Sequence, residues 1–445
     1  MQIAMAGDRA LMATMPGAPA SRLRAIAAGA RKLDGALAAI VGHDSGYVIG
    51  TTDRDALAHI AQAATANATA PVTQHRVEVS FAPEYALDLA DVITRAGATR
   101  ETIIDRISRL TLTVRYLGFL PGWAYLEGWP EEWALPRRPT SRNRVPGGSF
   151  AIAGAMAGFY PTDSPGGWNI LGRAASLPQF EPGDEVRVIA IDRTVTFLPR
   201  PVATESLPVD IIATGQMTTV VRGRDWSKLE RGEPAGGPFD VEAATLANRA
   251  VGNADDAPLF ECVLVGPRFR LREAGRVAWC GASLQPRVWN ARAGEEIDIG
   301  RIRDGFRGYV AVEAPHPRFA DPLPAARGEG LRGRRPGEGR LEIPVLRGPH
   351  DAPALPEEWE VTPQLNRVGI RLRAVAPVNV RLPAELPSCG MQFGTLQWHP
   401  DGSIVAMGPD HPVTGGYLQP ATVISSDLWK LGQLAPGDHV RLVVE

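Results

Sequence analysis

Pro182-Gly183-Asp184-Glu185-Val186-Arg187 returns near the end of the chain as Pro436-Gly437-Asp438-His439-Val440-Arg441. Each copy lies downstream of a Gly-Gly-aromatic step, Gly166-Gly167-Trp168 in one case and Gly415-Gly416-Tyr417 in the other. Pro-Gly-Asp is turn chemistry, and the residues after it read as a strand that closes its half. Two matches in the same order predict two related β-rich lobes facing one another across a cleft, a natural ligand site. With 445 residues there is room for several domains, and the boundary between the halves falls near Leu207.

Within the first half, Ser21–Leu33, Asp53–Ala68, Ala86–Ala96 and Glu101–Arg109 have helical periodicity. Ala38–Ile49, Val72–Phe81 and Leu110–Leu117 read as strands. Val186–Ile191 and Thr194–Leu198 read as closing strands, and Pro199–Pro208 as a linker. The second half opens with Val209–Arg222 as strand, then a helix over Phe239–Val251 ended by Gly252-Asn253. Strands follow in Phe260–Gly266 and Arg276–Ala282. Pro315–Arg340 reads as a mobile loop. It holds Gly328–Gly333, which has the GxGxxG spacing of a dinucleotide motif but neither the preceding strand nor the following helix.

The charge balance is nearly even, 47 basic against 49 acidic residues, so no global field favours nucleic acid or an anionic membrane. Only three basic residues are lysine: Lys32, Lys228 and Lys430. None lies in Gly-Lys-Ser/Thr and none follows a methionine. That excludes a Walker A loop and a covalent biotin acceptor, so biotin could arrive only on a partner protein. Cys262, Cys280 and Cys389 lack zinc-ligand spacing and read as small buried thiols of a reducing cytosol. Asp8 and Arg9 interrupt the apolar core a secretory signal needs, and no apolar run is long enough to span a bilayer. The expectation is a soluble cytoplasmic protein.

From Gly118 to Arg173, Pro, Gly, Trp and Arg crowd into long loops of the kind that line sites. Arg137, Arg138, Arg142, Arg144 and Arg173 offer planar forks for carboxylate or phosphate. Trp123, Tyr125, Trp129, Tyr160 and Trp168 offer flat faces. The alternative is that the arginines pair with Glu127, Glu131, Glu132 and Asp163 while the tryptophans fill a core. Pro146-Gly147-Gly148-Ser149 and Ser164-Pro165-Gly166-Gly167 can point N–H groups into one space as anion nests, or can be plain hairpin turns.

The binding set expected from the first half has Arg142, Arg144 and Arg173 on an anion. Ser149, Gly166 and Gly167 act as donors, and Trp123, Tyr125, Tyr160 and Trp168 as walls. From the second half, Asn366, Arg367, Gln397, Gly416 and Tyr417 face them. No GxSxG and no histidine metal spacing is present, and no general base can be named. His399 and His411 flank a turn and read as surface histidines.

GFLPGWAYLEG, LPRRPTSRNRVPGGSFAIAG and YPTDSPGGWNILGR resemble the allophanate hydrolase subunit 1 family. Gly236–Asp240, Leu246-Ala247-Asn248-Arg249, Gly348–Asp351, NRVGIRL, FGTLQ and TGGY resemble its subunit 2 partner. These families are also known as 5-oxoprolinase subunits B and C, and as the carboxyltransferase region of urea carboxylase. The resemblance covers nearly the whole chain and implies a fusion of both subunits. It implies an α+β, mainly β fold with two cyclophilin-like barrel lobes and a small N-terminal α/β subdomain. The divisions would be residues 1–85, 86–206 and 207–445, the last with two β-rich subdomains.

The resemblance also implies an ATP-dependent hydrolase that opens a small cyclic amide such as 5-oxoproline. ATP would be its cofactor and a third, A-type 5-oxoprolinase chain its partner. Two alternatives come with the family. One is carboxyl transfer to urea or a similar amide from biotin carried by a partner carboxylase; the other is non-catalytic binding to a histidine kinase, as in the sporulation kinase inhibitor and its antagonist. The chain departs from the family pattern at Ile107 (usually histidine), at Ala174 (usually threonine), over Thr218–Arg224 and near Glu313–Pro324.

Overall fold

The computed structural model describes residues 1–64, 72–200, 206–303, 305–314 and 340–445. It opens on an antiparallel sheet in the order Gln2–Met5, Ala10–Thr14, Ser45–Ile49, Ala38–Val41. The stretch Ala38–Ile49 is thus a hairpin of two strands. Helices Ala20–Ala30 and Arg54–Ala63 bury Leu23, Ile26, Leu57 and Ala61 with Leu11 and Val48 of the sheet. Asp53 caps the second helix by accepting from the Ala56 N–H at 2.9 Å, which contributes about 1 kcal/mol. That helix stops at Ala63, short of the expected Ala68; residues 65–71 lie outside the described residues.

The two lobes are built on closed seven-stranded barrels of identical strand order. In the first the circuit runs Glu185–Ile191, Gln74–Ser80, Asn169–Ala174, Ser149–Ala153, Met156–Phe159, Ala124–Glu127, Leu112–Leu117 and back. In the second it runs His439–Val444, Arg340–Arg347, Leu418–Val423, Thr395–Trp398, Ile404–Met407, Gly369–Ala374, Glu358–Leu365 and back. In both, the first pair named is parallel. The repeat read from the sequence is therefore a repeat of a whole barrel. Closure leaves neither sheet with an edge that could recruit another strand.

Val77, Val114, Leu126, Phe150, Phe159 and Val188 fill the first barrel, and helices Leu89–Ala96 and Arg100–Arg109 cover it with Leu89, Val92, Ile103 and Ile107. Ile343, Trp359, Leu372, Trp398, Ile404 and Leu442 fill the second. Each such apolar side chain contributes roughly 2 kcal/mol on burial.

Several expectations need correction. Gln74–Ser80 belongs to the first barrel, which therefore begins before residue 86. Thr194–Leu198 is not a strand. With the barrel already closed by Glu185–Ile191 there is no free ladder for it. It runs as an irregular strap, Val195 O accepting from the Tyr85 hydroxyl and Leu198 N donating to Ala175 O.

Val209–Arg222 is two strands, Val209–Ala213 and Met217–Val221, parted near Gly215 at φ 67° and assigned to different sheets. Met217–Val221 edges a five-stranded sheet on which helix Val241–Ala250 packs. Asp240 caps that helix at Ala243 N. The Gly328–Gly333 motif and nearly all of the expected 315–340 loop lie outside the described residues.

The N-terminal sheet reaches across to the second lobe. Gln392 Nε2 donates to Ala6 O at 2.7 Å, and Arg9 Nε donates to Gln392 Oε1 at 3.0 Å. Ala10, Met12, Ile40 and Tyr47 share one apolar cluster with Leu229, Cys389 and Val413. All three cysteines are buried and none forms a disulfide, as expected. No helix among the described residues is long and apolar enough to cross a membrane.

Candidate functional site

Strands Leu112–Leu117 and Ala124–Glu127 pair with a register shift between Val114 and Tyr116, which sets Tyr116 opposite Tyr125. Their rings stack at 4.2 Å. From Tyr125 the aromatic wall continues to Trp123 at 5.7 Å and Trp168 at 5.8 Å, both edge-on, and from Trp123 to Tyr160 at 4.6 Å. Gly166 is required here because any Cβ would collide with the Tyr160 hydroxyl, which accepts from the Trp168 backbone N–H. Trp123 and Tyr160 are buried, whereas Tyr125 and Trp168 are half-buried and reach the surface.

The second lobe abuts this wall. Thr414 Oγ1 donates to Leu117 O at 2.9 Å, and Gly118, at φ 141°, leaves no room for a side chain against Thr414. Cys389–Gly390 pairs with Thr414–Gly415. Just before it, Ser388 hydrogen-bonds the Tyr116 hydroxyl, and Ser388 O accepts from His43 N at 2.7 Å. Gln397 is buried beside Gly415, and its Nε2 has no hydrogen-bond partner among the described residues. Gly416 O accepts from Leu386 N at 2.8 Å, and Tyr417 packs on His399 at 4.1 Å.

Two free charges flank Tyr125. The Arg137 guanidinium lies near the Tyr125 and Tyr160 hydroxyls, and the Glu385 carboxylate near those of Tyr116 and Tyr125. Both residues are exposed, and neither has a hydrogen bond or ion pair among the described residues. Burial pushes the Tyr116 and Tyr125 phenols well up. Glu385 adds to the shift and Arg137 opposes it at Tyr125, so both hydroxyls stay protonated donors.

Of the residues expected from sequence, Trp123, Tyr125, Tyr160, Gly166, Gly167 and Trp168 come together on the first lobe. Gln397, Gly416 and Tyr417 come together on the second. The others are engaged in holding structure. Arg138 and Arg142 share Asp88 Oδ1 at 3.0 and 2.8 Å. Arg144 is exposed and paired with Asp163 at 2.6 Å. Arg173 donates to Gly147 O and lies over the Tyr85 ring.

Ser149 Oγ donates to Pro146 O at 2.7 Å. The N–H groups of Gly147, Gly148 and Ser149 go to Asp163 Oδ1, Tyr160 O and Pro146 O, so this turn is a filled hairpin rather than an open nest. Asn366 Oδ1 accepts from Val368 N and Gly369 N and shapes its own turn. Arg367 is bound to Glu261, Asp410 and the Gly237 carbonyl.

His411 is not a surface residue. It is buried, and desolvation, with Arg224 and Arg9 nearby, pushes its imidazole down to about 4 against the pull of the Pro412 carbonyl and Asp410. Glu385 and Ser388 escaped sequence reasoning because they sit in an irregular proline-rich stretch with no motif spacing. Arg137 was visible only as one of five arginines. No group of three or more metal-ligating side chains occurs among the described residues.

The carboxyltransferase domain, subdomain C and D, matches residues 1–189, and subdomain A and B matches 231–315 and 330–444. The chain belongs to the carboxyltransferase domain family. It fuses the C/D and A/B modules and is homologous to 5-oxoprolinase subunits B and C and to a region of urea amidolyase. The crystal structure of TTHA0988 superposes with a TM-score of 0.80 at 26% identity, covering 98% of the fusion and 99% of that chain.

The fusion is 38% identical over 114 residues to the B-type 5-oxoprolinase component of Escherichia coli O157:H7, 25% of its own length and 52% of that relative. It is 26% identical over 279 residues to the C-type 5-oxoprolinase component of Escherichia coli (strain K12), 52% of its length and 90% of that relative. To the putative urea carboxylase of Emericella nidulans it is 27% identical over 298 residues, 52% of its length but only 24% of that relative. The fusion thus spans about half of the B-type relative it matches and about a quarter of the urea carboxylase.

Proposed function

We propose that the fusion is the combined B- and C-type component of an ATP-dependent hydrolase that opens a small cyclic amide such as 5-oxoproline. The observation that carries this reading is the pair of free charges around Tyr125, Arg137 from the first lobe and Glu385 from the second. A lactam bearing a carboxylate asks for a cation on the carboxylate, an acceptor for the ring N–H and a flat face for the ring. Arg137, Glu385 and the half-buried Tyr125 and Trp168 are of those kinds. The unpartnered Gln397 Nε2 and the Ser388 hydroxyl are donors suited to the amide oxygen, where negative charge develops on ring opening.

ATP fits these residues poorly. The Gly147–Ser149 N–H groups are already spent, and none of the three lysines sits in a phosphate loop. Nucleotide handling is therefore assigned to an A-type partner chain, while this chain binds and orients the amide. A second reading, carboxyl transfer to an amide nitrogen from biotin on another chain, is supported by the subdomain names and by the similarity to a putative urea carboxylase. In that reading Glu385 faces the accepting nitrogen.

The test is turnover by the purified chain with 5-oxoproline and ATP, alone and with the products of its genomic neighbours. ATP hydrolysis coupled to ring opening is expected once the partner is present. Arg137→Gln should raise KM by at least about tenfold, the value of one charge-assisted contact, without lowering Tm. Arg144→Gln should change neither. Carboxyl transfer with a biotinylated carrier and no ring opening would replace the first reading by the second; silence in both would indicate a non-catalytic binding role.

A further inference from the structure

Arg9 and Arg224 line one cavity. The cavity, about 290 Å³, lies where the N-terminal hairpin, the 222–226 turn, the start of helix Val241–Ala250 and the 425–429 segment meet. Trp226 holds both guanidiniums, Arg9 at 5.6 Å and Arg224 at 5.7 Å from its ring, and Phe393 lies 4.7 Å from Arg224 on another side. Arg224 donates one hydrogen bond, from Nη2 to Pro238 O, and has no ion pair among the described residues. Arg9 spends Nε on Gln392, and its Nη2 is buried with no hydrogen-bond partner among the described residues.

Most acids in the neighbourhood are committed elsewhere: Asp255 is clasped by Arg249, and both Asp410 oxygens are taken by Arg367. Asp8 Oδ2 accepts from Ser425 N and Oγ, and its charge also acts on Arg9, which leaves Arg224 as the cation with the less direct counter-charge. At the rim, Arg222 reaches Asp256 at 3.8 Å, and Ser426 turns its hydroxyl to Asp427. Behind the cavity, His411 stays neutral. Burial, with Arg9 and Arg367 beside it, pushes Arg224 down to about 9 against the weaker pull of Tyr309 and Asp410.

We propose that this cavity binds a small ligand through a doubly charged oxyanion of the phosphate class, gripped between Arg9 and Arg224 by residues other than those around Tyr125. Two guanidinium forks preset on one indole ring match the charge and planar bidentate geometry such a group requires. The cavity volume suits a small phosphorylated metabolite, whose apolar part would lie along Phe393 and Val241. The proposal stands whichever reaction the residues around Tyr125 carry out.

Calorimetric titration of the full chain with inorganic phosphate, sulfate and acetate tests it. Phosphate and sulfate should bind at millimolar concentration and acetate far more weakly. Arg224→Gln should weaken phosphate by at least about tenfold, with Arg224→Lys in between. Absence of phosphate binding, equal affinity for acetate, or undiminished binding by Arg224→Gln would overturn the site. Should that variant misfold, phenylglyoxal modification of the unaltered chain with peptide mapping decides. Phosphate should protect Arg9 and Arg224 while leaving exposed Arg144 reactive, and modification of Arg224 unaffected by phosphate refutes the proposal.

Discussion

Asp184 and Asp438 hold the same place in their two barrels. Each accepts from a backbone N–H three residues upstream through its side chain, Glu181 N at 2.9 Å and Ala435 N at 3.0 Å. Each then accepts through its carbonyl from a valine in the antiparallel neighbour, Val114 at 2.8 Å and Val361 at 2.9 Å. The carbonyls of those valines accept in turn from Gly183 N and Gly437 N. The repeated Pro-Gly-Asp thus seals the parallel strand into each barrel at one matched point.

Asp184 also accepts from Thr73 N and His75 Nε2, so Asp184→Ala strands buried donors. The expected loss is about 2 kcal/mol of unfolding free energy, read by urea denaturation with fluorescence. Asp184→Asn, which keeps one acceptor, should lose less.

The repeat, the closing strands and the capped helix after Asp240 were legible because they depend on local chemistry: a Pro-Gly turn, β-branched alternation, a side-chain cap. Barrel closure was not, since it turns on pairings such as Gln74–Ser80 with Glu185–Ile191, more than a hundred residues apart. The same distance limit hid the site. Arg142 and Arg144 look like free anion forks until Asp88 and Asp163 are placed beside them, and Glu385 gains meaning only when folding brings it to Tyr125.

His411 titrates near 4 in the fold against an ordinary value of 6.5. Between those values the unfolded chain holds a proton the native one lacks. Stability should therefore fall as pH drops from about 6.5 towards 4, by up to about 1.4 kcal/mol per pH unit. Denaturation midpoints across that range should slope less in His411→Gln.

Glu261 joins Arg307 at 2.9 Å and Arg367 at 2.6 Å, and accepts from Tyr309 Oη and Phe239 N. Burial alone would raise its carboxyl, but the two arginines outweigh that and hold it below 4.5. Its contribution is present above that value and lost as pH falls through the lowered one. Glu261→Ala leaves Arg307 buried and unpaired and should cost roughly 3 kcal/mol or more, measured as a loss of Tm and midpoint. Replacing Glu261 and Arg307 together by methionine should cost less.

The contacts of Ala6, His43 and Leu117 with Gln392, Ser388 and Thr414 join the halves as two separate chains would be joined. Chains 1–200 and 206–445, coexpressed, should copurify as a one-to-one complex on size exclusion. Gly118→Val, which drives a side chain into Thr414, should weaken that complex without unfolding either half.

The hydrogen bond from Arg9 to Gln392 spans 383 positions of the chain. At a synthesis rate of about 5–20 residues per second, the first hairpin leaves the ribosome tens of seconds before its resting place exists. Until then Ala10, Met12 and Ile40 present an uncovered apolar face. Production of this polypeptide in a cell should accordingly lean on a chaperone that shields nascent chains, a demand that two separately translated chains would meet by ordinary diffusion and docking.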